Sequence, residues 1–227
     1  MFFSDKKWLK DWRVICDDQW DAEKLFDSYK KEMYWITCAG EELFSCGVLP
    51  AFAGTHAPEE YQKGTGGNFA IRKTGERKFL VTARGAHKGN LQRKDFVIVH
   101  EVDWWRQNIY ISSLDNFFHL PSTDSPLIAV AFASCDNVRV WVHFHEIISA
   151  PHEVRLNYPA LRDADWDTLK HAAQFGIREM NMIDHDLSVK GQKNNTVDSA
   201  IVLGEDPQET IFRARVLLER ARNSPRI

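Results

Sequence analysis

Two histidines one residue apart, His143 and His145 in Val138-Arg139-Val140-Trp141-Val142-His143-Phe144-His145, are the side chains of this chain best placed to do chemistry. The run is valine-rich and reads as a strand. Successive strand side chains point to opposite faces. Val138, Val140, Val142 and Phe144 therefore share one face, which can bury in a core. The two imidazoles share the other, about 7 Å apart along the strand at roughly 3.4 Å per residue. Two neutral imidazoles on one face can close on a single Zn²⁺, Mn²⁺ or Fe²⁺. Taken alone, the same pattern also describes two ordinary polar residues on the wetter face of a strand.

The four cysteines form no metal or disulfide framework, and nothing in the local sequence favours any one of them as a catalytic thiol. Cys16, Cys38, Cys46 and Cys135 are scattered, with no C-x-x-C pair. Cys38 and Cys46 lie on one expected helix, about 12 Å apart at 1.5 Å per residue, too far to bridge. All four are expected to be reduced.

The elements that must position the histidines follow from periodicity and turn residues. A helix is expected from Asp21 to Ser45, with Leu25, Tyr29, Met33, Ile36, Gly40 and Leu43 inward, Gly47 closing it and Pro50 beyond. Residues 50–66 hold Pro, Gly and His and read as a loop. Strands follow at Asn68–Arg72, Phe79–Thr82, Asp95–Glu101 and Ile109–Ser113, separated by turn residues. A short apolar helix spans Ser125–Ser134, and the histidine strand comes next. Asp165 can cap a helix from Trp166 to Met182, residues 184–198 read as a polar loop, and Ala200–Leu203 as a strand. Asp206-Pro207-Gln208-Glu209 is a helix start, with Asp as N-cap, Pro at the first position and Glu at the third. Residues 1–20 are charged and Trp-rich without clean periodicity and are read as an N-terminal extension. The rest forms one α/β domain, a mostly antiparallel central sheet covered by helices, so residues 1–227 make a single domain.

Composition bounds the function. The chain has 227 residues, 44% hydrophobic and 27% charged, with fourteen Phe and eight Trp. That is enough for one bulky core. A net charge of −3 leaves no global basic field for nucleic acid or an anionic membrane. No apolar run approaches the ~20 residues that span a bilayer, and the N-terminus has no sustained apolar stretch. The expectation is a cytoplasmic protein without nucleic-acid or membrane partners.

Further pieces fall in order along the chain. They read Gly67-Asn68-Phe69-Ala70-Ile71-Arg72, then Thr82-Ala83-Arg84-Gly85-Ala86-His87-Lys88-Gly89-Asn90-Leu91 with Asp95, then Pro121-Ser122-Thr123-Asp124-Ser125-Pro126, then the histidine strand. Each is weak alone. Their order resembles the class II aldolase/adducin family, with its G-N-x-S-x-R, T-P-S-G-x-x-K-G-x-L-x-x-x-D, P-S-S-[ED]-x-P and His-x-His motifs. That family includes sugar-phosphate aldolases, ribulose-phosphate 4-epimerases and methylthioribulose-phosphate dehydratases. The resemblance covers residues 25–221, best over 64–149, and implies a three-layer α/β/α fold.

The resemblance implies roles. His143 and His145 would hold a divalent metal, zinc foremost, with manganese or iron as alternatives. Asp124 would be the catalytic carboxylate that moves a proton, and its spelling as Asp leans toward the epimerases. On local sequence the same residue reads equally as an N-cap for the helix at Ser125-Pro126. Asn68, Arg84, Gly85, Ser122 and Thr123 would bind a substrate phosphate or other anion. Arg84 stands where the family has Ser; it can bind an anion bidentately or fill the pocket.

Departures are equally specific. The family's third metal histidine sits in an N-H-G sequence before the penultimate strand, where this chain has Asp198-Ser199. Asp198 is a legitimate ligand. His185 or His171 could substitute, or the third ligand is lost. The last tyrosine is Tyr158, so the C-terminal Tyr that some members use as proton donor has no counterpart. The implied function is a metal-dependent lyase or epimerase acting on a small phosphorylated or carboxylated sugar-like compound through a metal-stabilised enediolate. The alternative is a non-catalytic adducin-like binding module. The resemblance also implies a homotetramer, for which Trp8, Trp12, Trp20, Trp104 and Trp105 are candidate interface anchors.

Overall fold

The computed structural model describes residues 2–3, 12–16, 21–47, 49, 64–114, 119–144, 153–156, 169–171, 173–174, 176, 178–184 and 197–223. Of 2–3, 153–156, 181–184, 197–199 and 221 it describes the backbone alone. In chain order the elements are β1 (Phe2–Phe3), β2 (Arg13–Cys16), α1 (Ala22–Ser28), α2 (Lys30–Ser45), β3 (Asn68–Arg72), β4 (Phe79–Thr82), β5 (Phe96–Asp103), β6 (Asn108–Ser112), α3 (Ser125–Ser134), β7 (Val140–Phe144), β8 (Glu153–Leu156), β9 (Glu179–Asp184), β10 (Val197–Gly204) and α4 (Pro207–Asn223). The strands join one open sheet in the order β1-β2-β6-β5-β4-β3-β7-β10-β9-β8. Among the described residues, β2–β6 and β8–β9 pair in parallel and all other neighbours antiparallel. This is the expected α/β architecture.

Both faces of the central strands are covered. Phe69 and Ile71 of β3 lie across from Val142 and Val140 of β7, and these face Trp35, Ile36 and Ala39 of α2 and Ile211 of α4. The other face meets α3, where Phe132 stacks edge-on against Phe79 at 5.4 Å. α3 is apolar around its whole circumference, with Leu127, Ile128, Ala131 and Phe132 buried, as a helix enclosed on several sides must be. Every residue of β3, β4 and β7 is buried. The histidine-bearing face of β7 is therefore interior, not a wet strand surface.

Several expectations need correction. The helix expected over Asp21–Ser45 breaks at Tyr29, whose φ and ψ of −103° and 14° separate α1 from α2. Tyr29 is fully buried. Its hydroxyl donates to Glu76 at 2.8 Å and its ring lies 3.9 Å from the Lys73 ammonium. Anchoring to that turn overrides the continuous helical pattern. The helix expected to reach Met182 does not. Gly176 has φ 78°, a conformation glycine adopts freely and one that ends helices. Glu179–Asp184 is instead strand β9, where Met180 pairs with Ile201; Met180 and Met182 fit a strand's period of two, while Met180 alone also completes the expected helical stripe. The edge strands β1 and β8, and β2 next to β1, had no distinct sequence signal. The polar loop ends earlier than expected, since β10 begins at Val197. Asp165, Trp166 and most of residues 50–66 lie outside the described residues.

Candidate functional site

Register builds the site. Asn68 opens β3 directly across from His143 on β7, and directly paired residues project from the same face. Trp141, two residues before His143, shares that face. Its indole N–H donates to Asn68 Oδ1 at 2.8 Å. An indole nitrogen can only donate, so the amide NH₂ of Asn68 must point the other way. It donates to Asp124 Oδ2 at 2.5 Å and lies 3.0 Å from His143 Nδ1. His143 Nδ1 in turn meets the same Asp124 oxygen at 2.7 Å. Since Asp124 Oδ2 accepts, the proton of a neutral His143 ring belongs on Nδ1. Nε2 is then the nitrogen with a lone pair for a cation. All four residues are buried.

Asp124 does not cap α3 with its side chain. The residue still sits at the N-cap position, its carbonyl accepting from the Ile128 amide at 2.9 Å, but its carboxylate turns away from the helix amides toward Asn68 and His143. The start of α3 is organised by Ser122, whose carbonyl accepts from the Ser125 amide at 3.0 Å and the Ser125 hydroxyl at 2.7 Å. Ser122 Oγ accepts from the Asp124 amide at 3.3 Å.

Three turns meet beside this cluster. An isolated bridge pairs Ala83 with Pro121, and the Arg84 amide donates to Leu120 O at 2.9 Å. That sets Arg84-Gly85 next to Ser122-Thr123. Gly64 approaches so closely that a Cβ there would run into the Gly85 backbone, and the Thr65 amide donates to Ala86 O at 3.3 Å. Gly67, at φ 77°, would collide with the His143 carbonyl if it carried a Cβ. Asn68, Arg84, Gly85, Ser122 and Thr123 are accordingly gathered around one end of the sheet. Arg84 is half-buried, with Nε and Nη2 sealed from solvent. Arg72, the last residue of the G-N motif, serves the fold instead. Its guanidinium donates to the carbonyls of Cys135, Asp136 and Val138.

His145 lies outside the described residues, as does His185. Asp198 has a described backbone only: it falls where the pairing of β10 with β9 slips between Val197 and Ser199, three positions before Ile201, the β10 partner of His143. Among the described residues no cluster of three or more His, Cys, Asp or Glu could hold a metal. The donor chemistry of His143 nonetheless fits one. A carboxylate on one ring nitrogen, fixing the tautomer and aiming the other, is the usual support of a metal-bound histidine.

Lys88 received no role from sequence, although its motif was visible. It is 2% exposed, and its Nζ donates to Thr65 O at 2.8 Å. Burial pushes its ammonium down from the usual 10.5 to about 7, against the attraction of Asp124 and Asp95.

No helix among the described residues is long and apolar enough to cross a membrane. The profile of the class II aldolase and adducin N-terminal domain matches residues 51–186. No curated protein matches significantly. Among solved structures, YgbL of Klebsiella pneumoniae, for which an aldolase, epimerase or decarboxylase activity is suggested, aligns at TM-score 0.57 and 15% identity. The alignment covers 91% of this chain and 93% of that one. An L-fuculose 1-phosphate aldolase aligns at 0.54 and 11%, covering 87% and 90%. The N-terminal class II aldolase domain of a conserved Thermoplasma acidophilum protein aligns at 0.51 and 14%, covering 83% and 91%. At such identities the structures speak for the fold alone, while the profile spans more than half of the sequence: the chain belongs to the class II aldolase and adducin family.

Proposed function

We propose that this protein is a divalent-metal-dependent lyase or epimerase acting on a small anionic, sugar-like substrate. The observation that carries the reading is the buried Asp124–His143 contact at 2.7 Å, with Asn68 bridging to the same carboxylate oxygen. A buried carboxylate and imidazole are costly unless paired, and this pair leads a ring nitrogen toward a prospective cation. His143, His145 and Asp198 are the proposed ligands, with zinc the first candidate. When bound, the cation supplies Lewis-acid polarisation of a substrate carbonyl or hydroxyl. The chain's own residues do the rest. Asp124 Oδ2 holds the His143 Nδ1 proton and orients the ring. Proton transfer to or from substrate then falls to Asp124 Oδ1. Arg84, the Gly85 turn and the hydroxyls of Ser122 and Thr123 bind the anionic group, as turn amides and a guanidinium suit phosphate or carboxylate.

Metal analysis of untagged protein tests this. Near-stoichiometric zinc or manganese, lost in His143→Ala, is the expected result. A metal-free protein with unchanged stability in that variant overturns it. A second reading, an adducin-like binding module without catalysis, is favoured by Arg84 in the family's serine position and by Asp198-Ser199 in place of His-Gly. Assembly into a cytoplasmic homotetramer belongs to the same proposal. Trp105 at the β5–β6 turn is 98% exposed beside Trp104, which meets Trp12 edge-to-face at 5.2 Å, a surface suited to a protein contact. Sedimentation as a 26.3 kDa monomer overturns the assembly.

A further inference from the structure

Lys88 is a buried cation that the proposed chemistry does not use, and its surroundings are specific. It sits in a 3₁₀ turn, Lys88–Asn90, after the Arg84-Gly85 turn. Gly40 of α2 packs on the Lys88 carbonyl so tightly that a Cβ would not fit. Phe44 of α2 lies against neighbouring His87 and Gly89. The backbone of Lys88 is therefore held from one side by a helix. From the other side Thr65 engages it twice: the Lys88 amide donates to Thr65 Oγ1 at 3.1 Å, and Lys88 Nζ donates to Thr65 O at 2.8 Å. Thr65 is fully buried. It begins the run Thr65-Gly66-Gly67 that delivers Asn68 to Asp124. Two glycines give that run little stiffness of its own, so the bonds that hold Thr65 help fix the turn leading into Asn68, whose own place in β3 is set by its pairing with His143 and by Trp141.

We propose that Lys88 is a positioning residue whose buried ammonium ties down the Thr65–Gly67 turn, and that losing its charge loosens the turn and with it the delivery of Asn68 to Asp124. The inference rests on the reading that Asn68, Asp124 and His143 form the working site. A hydrogen bond from an ammonium to a carbonyl is about twice as strong as one from a neutral amine. The groups facing Lys88 decide when the charge is lost. Asp124 at the start of α3 and Asp95 at the end of the Arg93–Asp95 turn favour the ammonium; desolvation opposes it more strongly and places the loss near neutral pH. α2 meets this turn through Gly40 and Phe44, and His87 is the titratable neighbour on the same turn. The site's order is thus tied to pH through a lysine that is neither a proposed ligand nor a proposed anion-binding residue.

The test is an NMR titration of the wild-type protein from pH 6 to 9, with lysine side chains and backbone amides labelled. The Lys88 ε-methylene should titrate near neutral pH, and the Thr65, Gly66 and Gly67 amides should shift with the same midpoint. In Lys88→Met that component of the amide shifts should vanish, while any contribution from histidine titration persists. A Lys88 midpoint near 10, or turn amides that ignore the Lys88 transition, overturns the proposal without needing the variant to fold. Sulfate, whose charge is constant over this range, probes the site: wild-type affinity should fall about fivefold from pH 6 to 8.5, a coupling of ordinary size, and be weak and flat in Lys88→Met. An equal slope in both proteins sinks the role of Lys88. A turn that follows Lys88 in a protein that binds no sulfate leaves the lysine tie standing and removes the anion-binding reading instead.

Discussion

Trp141 decides which end of Asn68 faces Asp124. Its indole N–H reaches Asn68 Oδ1 at 2.8 Å, so the amide NH₂ is presented to Asp124 Oδ2. The site is therefore oriented through Asn68 by a residue two positions before His143 on the same strand. Trp141→Phe keeps most of the ring volume and deletes the donor. Leaving a buried amide oxygen unsatisfied costs about 1–3 kcal/mol. Urea denaturation should show that loss, and zinc affinity should weaken because Asn68 is free to flip. An unchanged zinc affinity would mean that the Asn68 orientation is set elsewhere.

Asp124→Asn separates orientation from ligation. The substitution keeps shape, yet an amide at this position can present its NH₂ to His143 Nδ1 and reverse the tautomer. Loss of a carboxylate supporting a metal-bound histidine typically costs 10–100-fold in affinity. Competition titration with a zinc chelator should show a weakening in that range, whereas His143→Ala should abolish the site. Equal affinities for wild type and Asp124→Asn would assign the carboxylate a purely structural place.

The cluster was legible in the sequence only in part. A period of two put His143 on the face opposite Val140 and Val142, and the order of the four motifs brought Asp124 and Asn68 to the same neighbourhood. Nothing local could show that the Asp124 carboxylate leaves its helix amides uncapped, because an Asp before Ser-Pro satisfies the capping rule equally well. Only the β3–β7 register, a long-range pairing, brings a competing partner within reach. Lys88 was overlooked for the same reason. A lysine in a turn reads as solvated, and its burial follows from α2 and Thr65, both distant in sequence. Tyr29 and Gly176 failed differently: each interrupts a valid helical pattern, one through a tertiary anchor and the other through a left-handed backbone. Gly40 was correctly placed on the inward stripe of its helix, though periodicity could not say why a glycine stands there.

Gly40→Ala makes that reason measurable. In an exposed helix interior the change would stabilise by about 1 kcal/mol. Here the new methyl meets the Lys88 carbonyl, a backbone atom that cannot rotate away. Overpacking of this kind costs about 1–3 kcal/mol. Thermal denaturation should show a net loss of stability despite the better helix former, and the lysine-linked amide shifts should move as the turn is displaced. A stabilised Gly40→Ala would show that α2 does not hold the Lys88 turn.

Lys88 also predicts a stability trend whose sign is opposite to its local effect. Its folded-state value of about 7 lies below the unfolded 10.5. Between those values the unfolded chain binds the proton and the folded chain does not, so stability rises with pH in that window and is flat below it. At about 1.4 kcal/mol per unit, wild type should gain roughly 2–3 kcal/mol over Lys88→Met between pH 7 and 9, read as the difference of their urea-unfolding free energies. The turn loosens over the same range, because relief of the desolvation penalty belongs to the whole molecule while the lost charge-assisted bond belongs to Thr65. A fold that strengthens as its site slackens is the signature of this lysine. A pH-independent difference between the two proteins would show that Lys88 stays protonated throughout.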